Sequence, residues 1–134
     1  MAKVDTAREM AVVTKAKELY NYVIIITDKA PKRFRFSLSA ELMKLSLSVI
    51  EKIYRANEVF IDGVGDRDRR LQLRFDYQIG ALTDVKMLGY IAMLAAEHKC
   101  ILDKQYKLVS QYVSDCQCML AAWIRSDSKR YGRT

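Results

Sequence analysis

The stretch Lys104-QYKLVSQYVSDCQCMLAAWIRSDSK-Arg130 decides the fold. Its apolar residues Val109, Tyr112, Val113, Cys116, Met119, Leu120, Trp123 and Ile124 recur at intervals of three and four. That is the period of a helix burying one stripe. Beyond Ile124 the stripe gives way to Arg125, Lys129, Arg130 and Arg133. One helix cannot cover its own stripe, so the spacing predicts partner helices around it and a basic end beyond the core.

The rest of the chain repeats the pattern. Residues 5–29 carry the row Val12, Ala16, Leu19, Val23 and Ile26, widened by Val13, Tyr20 and Ile24. Asp5 or Thr6 serves as its expected cap, with Glu9 at the capping-box distance from Thr6. The β-branched run 23–27 favours a strand, but the helical period on both sides outweighs it. Pro31 drives the residue before it out of the helical region and closes the element. Residues 37–61 follow, with Ser37 or Ser39 as the expected cap. Here Leu42, Leu45, Val49, Ile53, Ala56 and Phe60 form one row, and Leu38, Met43, Leu47, Ile50 and Tyr54 a second beside it. Two adjacent rows predict cover from more than one side, by bundle neighbours and by another subunit.

The third segment is expected from about Asp68 to Ile101, with the stripe Leu71, Phe75, Ile79, Leu82, Val85, Leu88, Ala92 and Ala95. Gly80 and Gly89 inside it each cost about 1 kcal/mol against alanine, a cost that close approach of a neighbouring helix offsets. Asp103 is the expected cap of the last helix. Four long amphipathic segments joined by short connections predict an all-α, up-down-up-down antiparallel four-helix bundle. The chain reads as one domain over residues 1–134, with a short basic C-terminal tail from about 126 to 134.

Composition fits this plan. Of 134 residues 51% are hydrophobic, with one proline and five glycines, too few for a loop-rich β protein. Three cysteines are an odd number, and the first residues carry no apolar signal segment, which predicts a reduced, soluble, cytoplasmic protein.

A net charge of +7 and a pI near 9.4 point to polyanions or acidic protein patches as partners. Alternating helix directions would gather Lys3, Arg8, Arg67, Arg69, Arg70, Arg74, Arg125, Lys129, Arg130 and Arg133 at one pole. Lys29, Lys32, Arg33, Arg35, Lys99, Lys104 and Lys107 would gather at the other. Cations at the end of the last helix suit its dipole, yet that does not call for ten of them. The candidate nucleic-acid or partner-binding residues are therefore Arg67, Arg69, Arg70, Arg74, Arg125, Lys129, Arg130 and Arg133, together with Lys32, Arg33 and Arg35. Phe34 and Phe36, interleaved with the last group, are expected to plug the end of the core.

Catalytic constellations fare poorly. His98, Cys100, Cys116 and Cys118 resemble a zinc set, but Cys100 and Cys116 sit at axial heights about 15 Å apart on adjoining helices. Cys116 and Cys118, two residues apart, face nearly opposite sides of one helix, a core and a surface position. The only histidine has no orienting partner for nucleophilic chemistry, and no Glu-x-x-His pair marks a di-iron bundle. The run Asp62-Gly-Val-Gly-Asp-Arg-Asp68 lacks the Gly-Lys-Ser/Thr of a phosphate loop and, beyond Asp66 and Asp68, the oxygen ligands of a calcium loop; it reads as a turn and helix cap. The expectation is a non-enzymatic protein without metal or cofactor.

Arg33-Phe34-Arg35-Phe36-Ser-Leu38, the run Ile53-Tyr-Arg-Ala-Asn57-Glu, Leu71-x-Leu-Arg74-Phe75 and Leu120-Ala-Ala-Trp123-Ile124-Arg125 together resemble the accessory variability determinant (Avd) family. These are four-helix-bundle accessory proteins of diversity-generating retroelements, with looser kin encoded in ribosomal RNA intervening sequences. The resemblance spans nearly the whole chain. It implies a homopentamer with a basic surface that associates with the element's reverse transcriptase and with its template RNA or DNA, and supports mutagenic copying. The departures lie in a first helix with fewer cations, mixed with acids, and in Asp66 and Asp68, which dilute the second turn. A protein-only scaffold, meeting acidic patches of its partner without touching nucleic acid, is the alternative.

Overall fold

A computed structural model gives the structure of residues 3–61 and 65–132, with side chains described from residue 11 onward. Four long helices account for most of it: α1 (Lys3–Lys29), α2 (Leu38–Glu58), α3 (Arg67–Glu97) and α4 (Asp103–Arg130), with a single 3₁₀ turn at Lys32–Phe34. No strand occurs among the described residues. Each helix packs on its neighbour in the chain and α1 also packs on α4, whereas among the described residues no Cα atoms of α1 and α3, or of α2 and α4, come within 8 Å of each other.

Leu19, Val23 and Ile26 of α1, Leu42, Val49 and Ile53 of α2, Val85 and Leu88 of α3, and Val109, Leu120 and Trp123 of α4 are almost wholly removed from water. Each such side chain contributes on the order of 1.5–3 kcal/mol. The β-branched run in α1 stays helical because Val23 and Ile26 fall on this stripe. Its Thr27 hydroxyl donates to the carbonyl of Val23 at 2.7 Å. Gly89 lies where α3 and α4 come close: a methyl group there would meet Val113 Cγ1 at 3.3 Å.

Several boundaries differ from the sequence expectation. α1 begins at Lys3, so Asp5 and Thr6 lie inside it. Ser37 precedes α2 without capping it by side chain; its hydroxyl donates to the Phe34 carbonyl at 3.5 Å. Ser39 is buried, its hydroxyl 3.7 Å from Cys100 Sγ. α3 stops at Glu97 rather than Ile101. There Lys99 takes a left-handed conformation (φ 65°), the Lys99 N–H donates to Ala96 and the Cys100 N–H to Ala95 at 2.8 Å. This is a Schellman closure that no glycine announces. Asp103 is the first residue of α4, not its cap. The Leu102 N–H donates instead to Gln105 Oε1 at 2.8 Å. The expected basic tail is helical as far as Arg130, with Asp127 buried inside it.

The stripe of α3 is shifted in its first half. Leu71, Arg74, Gln78, Ala81, Val85, Leu88, Ala92 and Ala95 are buried, whereas Phe75 is only half-buried and Ile79 is exposed. Apolarity pointed to the wrong face because two of the core positions are polar. α3 is also the one described helix long and apolar enough to cross a membrane. Its Gln78 is buried against Asp127, and its partly buried Asp84 meets Ser48 and Lys52 of α2.

Candidate nucleic-acid interface

The first pole is built where the start of α3 meets the end of α4. Arg67 Nη2 donates to the Tyr131 carbonyl at 3.2 Å, and its guanidinium lies 6.0 Å from the Tyr131 ring centre. Arg130 stacks on the same ring at 5.5 Å. Arg67, Arg69, Arg125, Lys129 and Arg130 are exposed and Arg70 is half-buried. Arg125 and Lys129, one turn apart, line a shallow groove with Ser126. Arg133 lies outside the described residues, as do the side chains of Lys3 and Arg8 and the glycine turn at 62–64.

Arg74 is the exception. It is only 5% exposed and its guanidinium is held inside the bundle. Nε donates to Asp127 Oδ2 at 2.5 Å, Nη2 to Asp127 Oδ1 at 3.2 Å, and Nη1 to the Ala56 carbonyl at 3.2 Å. Gln78 Nε2 adds a bond to Asp127 Oδ2 at 2.9 Å, and the guanidinium sits 5.4 Å from the centre of the Trp123 ring. Arg74 therefore ties α2, α3 and α4 together and does not join the exposed surface. Sequence reasoning missed Gln78 and Asp127. The available signal was their register: 71, 74, 78 and 81 continue the core spacing of α3, and 120, 123 and 127 that of α4.

The second pole centres on the connection between α1 and α2. Lys32, Arg33 and Arg35 are all exposed. Arg33 lies 4.6 Å over the Phe34 ring. Phe34 packs against the core edge, as the sequence led one to expect, but Phe36 is 89% exposed. The Ser39–Cys100 contact brings the end of α3 alongside this connection. Burial raises the Cys100 thiol above its ordinary range, with Ser39 and Arg33 opposing the shift. Burial pushes the Cys116 thiol up to about 12, while Cys118 is exposed. Both buried thiols are thus held in their poorly nucleophilic form. Among the described residues no three His, Cys, Asp or Glu side chains converge as a metal site.

Two clusters of solvent-facing cations on a helical frame, each beside an aromatic ring, can hold phosphates or carboxylates by charge-assisted hydrogen bonds. No protein-family model matches the chain, and no curated protein matches it.

Proposed function

We propose that this protein is a non-enzymatic, cytoplasmic adaptor of a diversity-generating retroelement, akin to the Avd proteins, that binds the reverse transcriptase and its template RNA. The observation that carries the reading is the exposure of Lys32, Arg33, Arg35, Arg67, Arg69, Arg125, Lys129 and Arg130 on an all-helical frame of net charge +7. Phosphates are their natural counter-groups, met without reference to base sequence. The helices run up, down, up, down in this reading. Supporting that are the contacts of Ser39 with Cys100, of Arg74 with Asp127, and of Lys15 with Asp115 at 3.8 Å.

Self-association into a homopentamer belongs to the same proposal. Met43, Leu47 and Tyr54 on α2, and Leu73, Met87 and Tyr90 on α3, are exposed apolar side chains that a second subunit would cover. Light scattering at several concentrations tests it: a pentamer supports the assignment and a monomer removes it.

The interface is tested by reversing Arg67, Arg125 and Lys129 to Glu, with Arg74 left intact because its loss would destabilise the bundle itself. Filter binding to RNA should drop by at least tenfold, and affinity of the native chain should fall steeply with salt. Unchanged retention by the triple variant would reject the surface. In the protein-only scaffold the same exposed cations meet acidic patches of the transcriptase; capture of the transcriptase without any RNA retention would favour it.

A further inference from the structure

We infer that the α1–α2 connection is a stacking site for single-stranded nucleic acid, in which Phe36 takes the face of an unpaired base while Lys32, Arg33 and Arg35 hold the flanking phosphates. The inference rests on the nucleic-acid reading above and names the form of strand this pole accepts. Three features of the structure carry it.

The first is Phe36 itself. It is 89% exposed, the most exposed large apolar side chain among the described residues. It does not sit on a slack loop. Phe34, Arg35 and Ser37 donate backbone bonds to Pro31, Lys32 and Phe34 at 3.0, 3.0 and 3.1 Å, and the Glu41 N–H closes onto the Ser37 carbonyl at 3.0 Å. A hydrogen-bonded turn that holds a phenyl ring out into water presents a preorganised flat surface. The ring next door behaves differently: Phe34 packs on the core edge beneath the guanidinium of Arg33.

The second is the spacing of charge. Lys32, Arg33 and Arg35 precede and separate the two rings within five residues and all face solvent. Cations alternating with an exposed ring match a strand whose phosphates and bases alternate in the same way. A duplex buries its base faces in its own stack and offers the ring nothing.

The third is the adjoining open groove, about 470 Å³ in volume, lined by Ile24, Ala30 and Met43 alongside Lys32, Arg35 and Asp28. Its size lies in the range of small-ligand sites, roughly 300–1,000 Å³. Its apolar lining residues suit the body of a base. Asp28, which would repel a phosphate, accepts a hydrogen bond from an exocyclic amine or ring N–H of the base. An acidic peptide would use the cations but would leave the ring idle and meet Asp28 as a like charge.

The test is a fluorescence-anisotropy titration of the full chain with a labelled RNA of about 12 nucleotides, single-stranded or annealed to its complement, at about 0.1 M salt. The single strand should bind more tightly. Phe36→Ala should weaken single-strand binding by about tenfold while duplex binding stays unchanged, and Phe36→Trp should restore the preference. Arg33→Glu with Arg35→Glu should weaken both forms and flatten the salt dependence. Equal binding of both forms, with no effect of Phe36→Ala, would overturn the stacking site and leave the broader nucleic-acid reading standing. No binding of either RNA even at low salt would overturn both. A Phe36→Ala variant that loses a protein partner but keeps its RNA affinity would also overturn it, assigning the ring to protein docking.

Discussion

The end of the bundle around Arg74 and the end around Phe36 treat charge and apolarity in opposite ways. At the first, an arginine and a carboxylate are drawn into the core, with Gln78 and the Ala56 carbonyl completing their bonds and Trp123 beneath. At the second, the core positions of α3 are Ala92, Ala95 and Ala96, the cations stay in water, and a phenylalanine joins them there. Counting cations by pole therefore overstates the first end. The polar layer offers fixed geometry, since an ion pair inside the bundle is satisfied in only one register. The other end offers a surface whose groups are free to meet a ligand.

That contrast is easiest to break at the ion pair. Arg74→Ala leaves Asp127 buried without its counter-charge and should cost about 3–5 kcal/mol, measured by urea denaturation. The pair Arg74→Met with Asp127→Leu should recover most of that loss, because a buried ion pair contributes little over apolar groups of similar volume. Failure of the double variant to recover would mean that the hydrogen bonds to Ala56 and Gln78 matter more than the charges. Leu88→Ala, in the dry middle of α3, should cost about 2–5 kcal/mol through its cavity, with no recovery route of that kind.

A pH scan sharpens the comparison further. Cys116 has its thiol pushed up to about 12 by burial, from an ordinary 9.0. A folded-state value above the unfolded one means the contribution is fully present below pH 9 and is lost progressively as pH rises toward 12. Thermal melts across that window should show the decline, and Cys116→Ala should lessen it, with the raised thiol of Cys100 and phenol of Tyr22 contributing to what remains. Smaller still, Lys99→Gly should stabilise the second end by up to about 1 kcal/mol, since φ 65° strains a side-chain-bearing residue. Smallest of all, Phe36→Ala should change stability by no more than about 0.5 kcal/mol, as expected of a side chain that packs on little.

The helices were legible because apolar residues recur at helical spacing along α1, α2 and α4, even though Ser39 and Ser46 also hold buried positions in α2 and Phe60 of the expected row is exposed beyond its end, and Pro31 marks one connection plainly. The first half of α3 was not, because Arg74 and Gln78 occupy core positions and Phe75 and Ile79 imitate the stripe one position away. The register of Arg74 and Gln78 continues the core spacing, but only Asp127, 53 residues from Arg74 and 49 from Gln78 in the chain, makes those polar choices intelligible. The end of α3 was misplaced for another reason: its left-handed residue is a lysine. Of the candidate site, the exposed cations could be named in advance, but which were already engaged could not. Burial is a property of the assembled helices.

The position of Trp123 has a practical consequence. It is the only tryptophan in the chain and is fully buried beside the guanidinium of Arg74. Its intrinsic emission is thus a label-free gauge of a single layer of the molecule. A red shift on warming or on loading a partner would signal water entering at the Arg74 end, and events confined to Phe36 would leave the spectrum still.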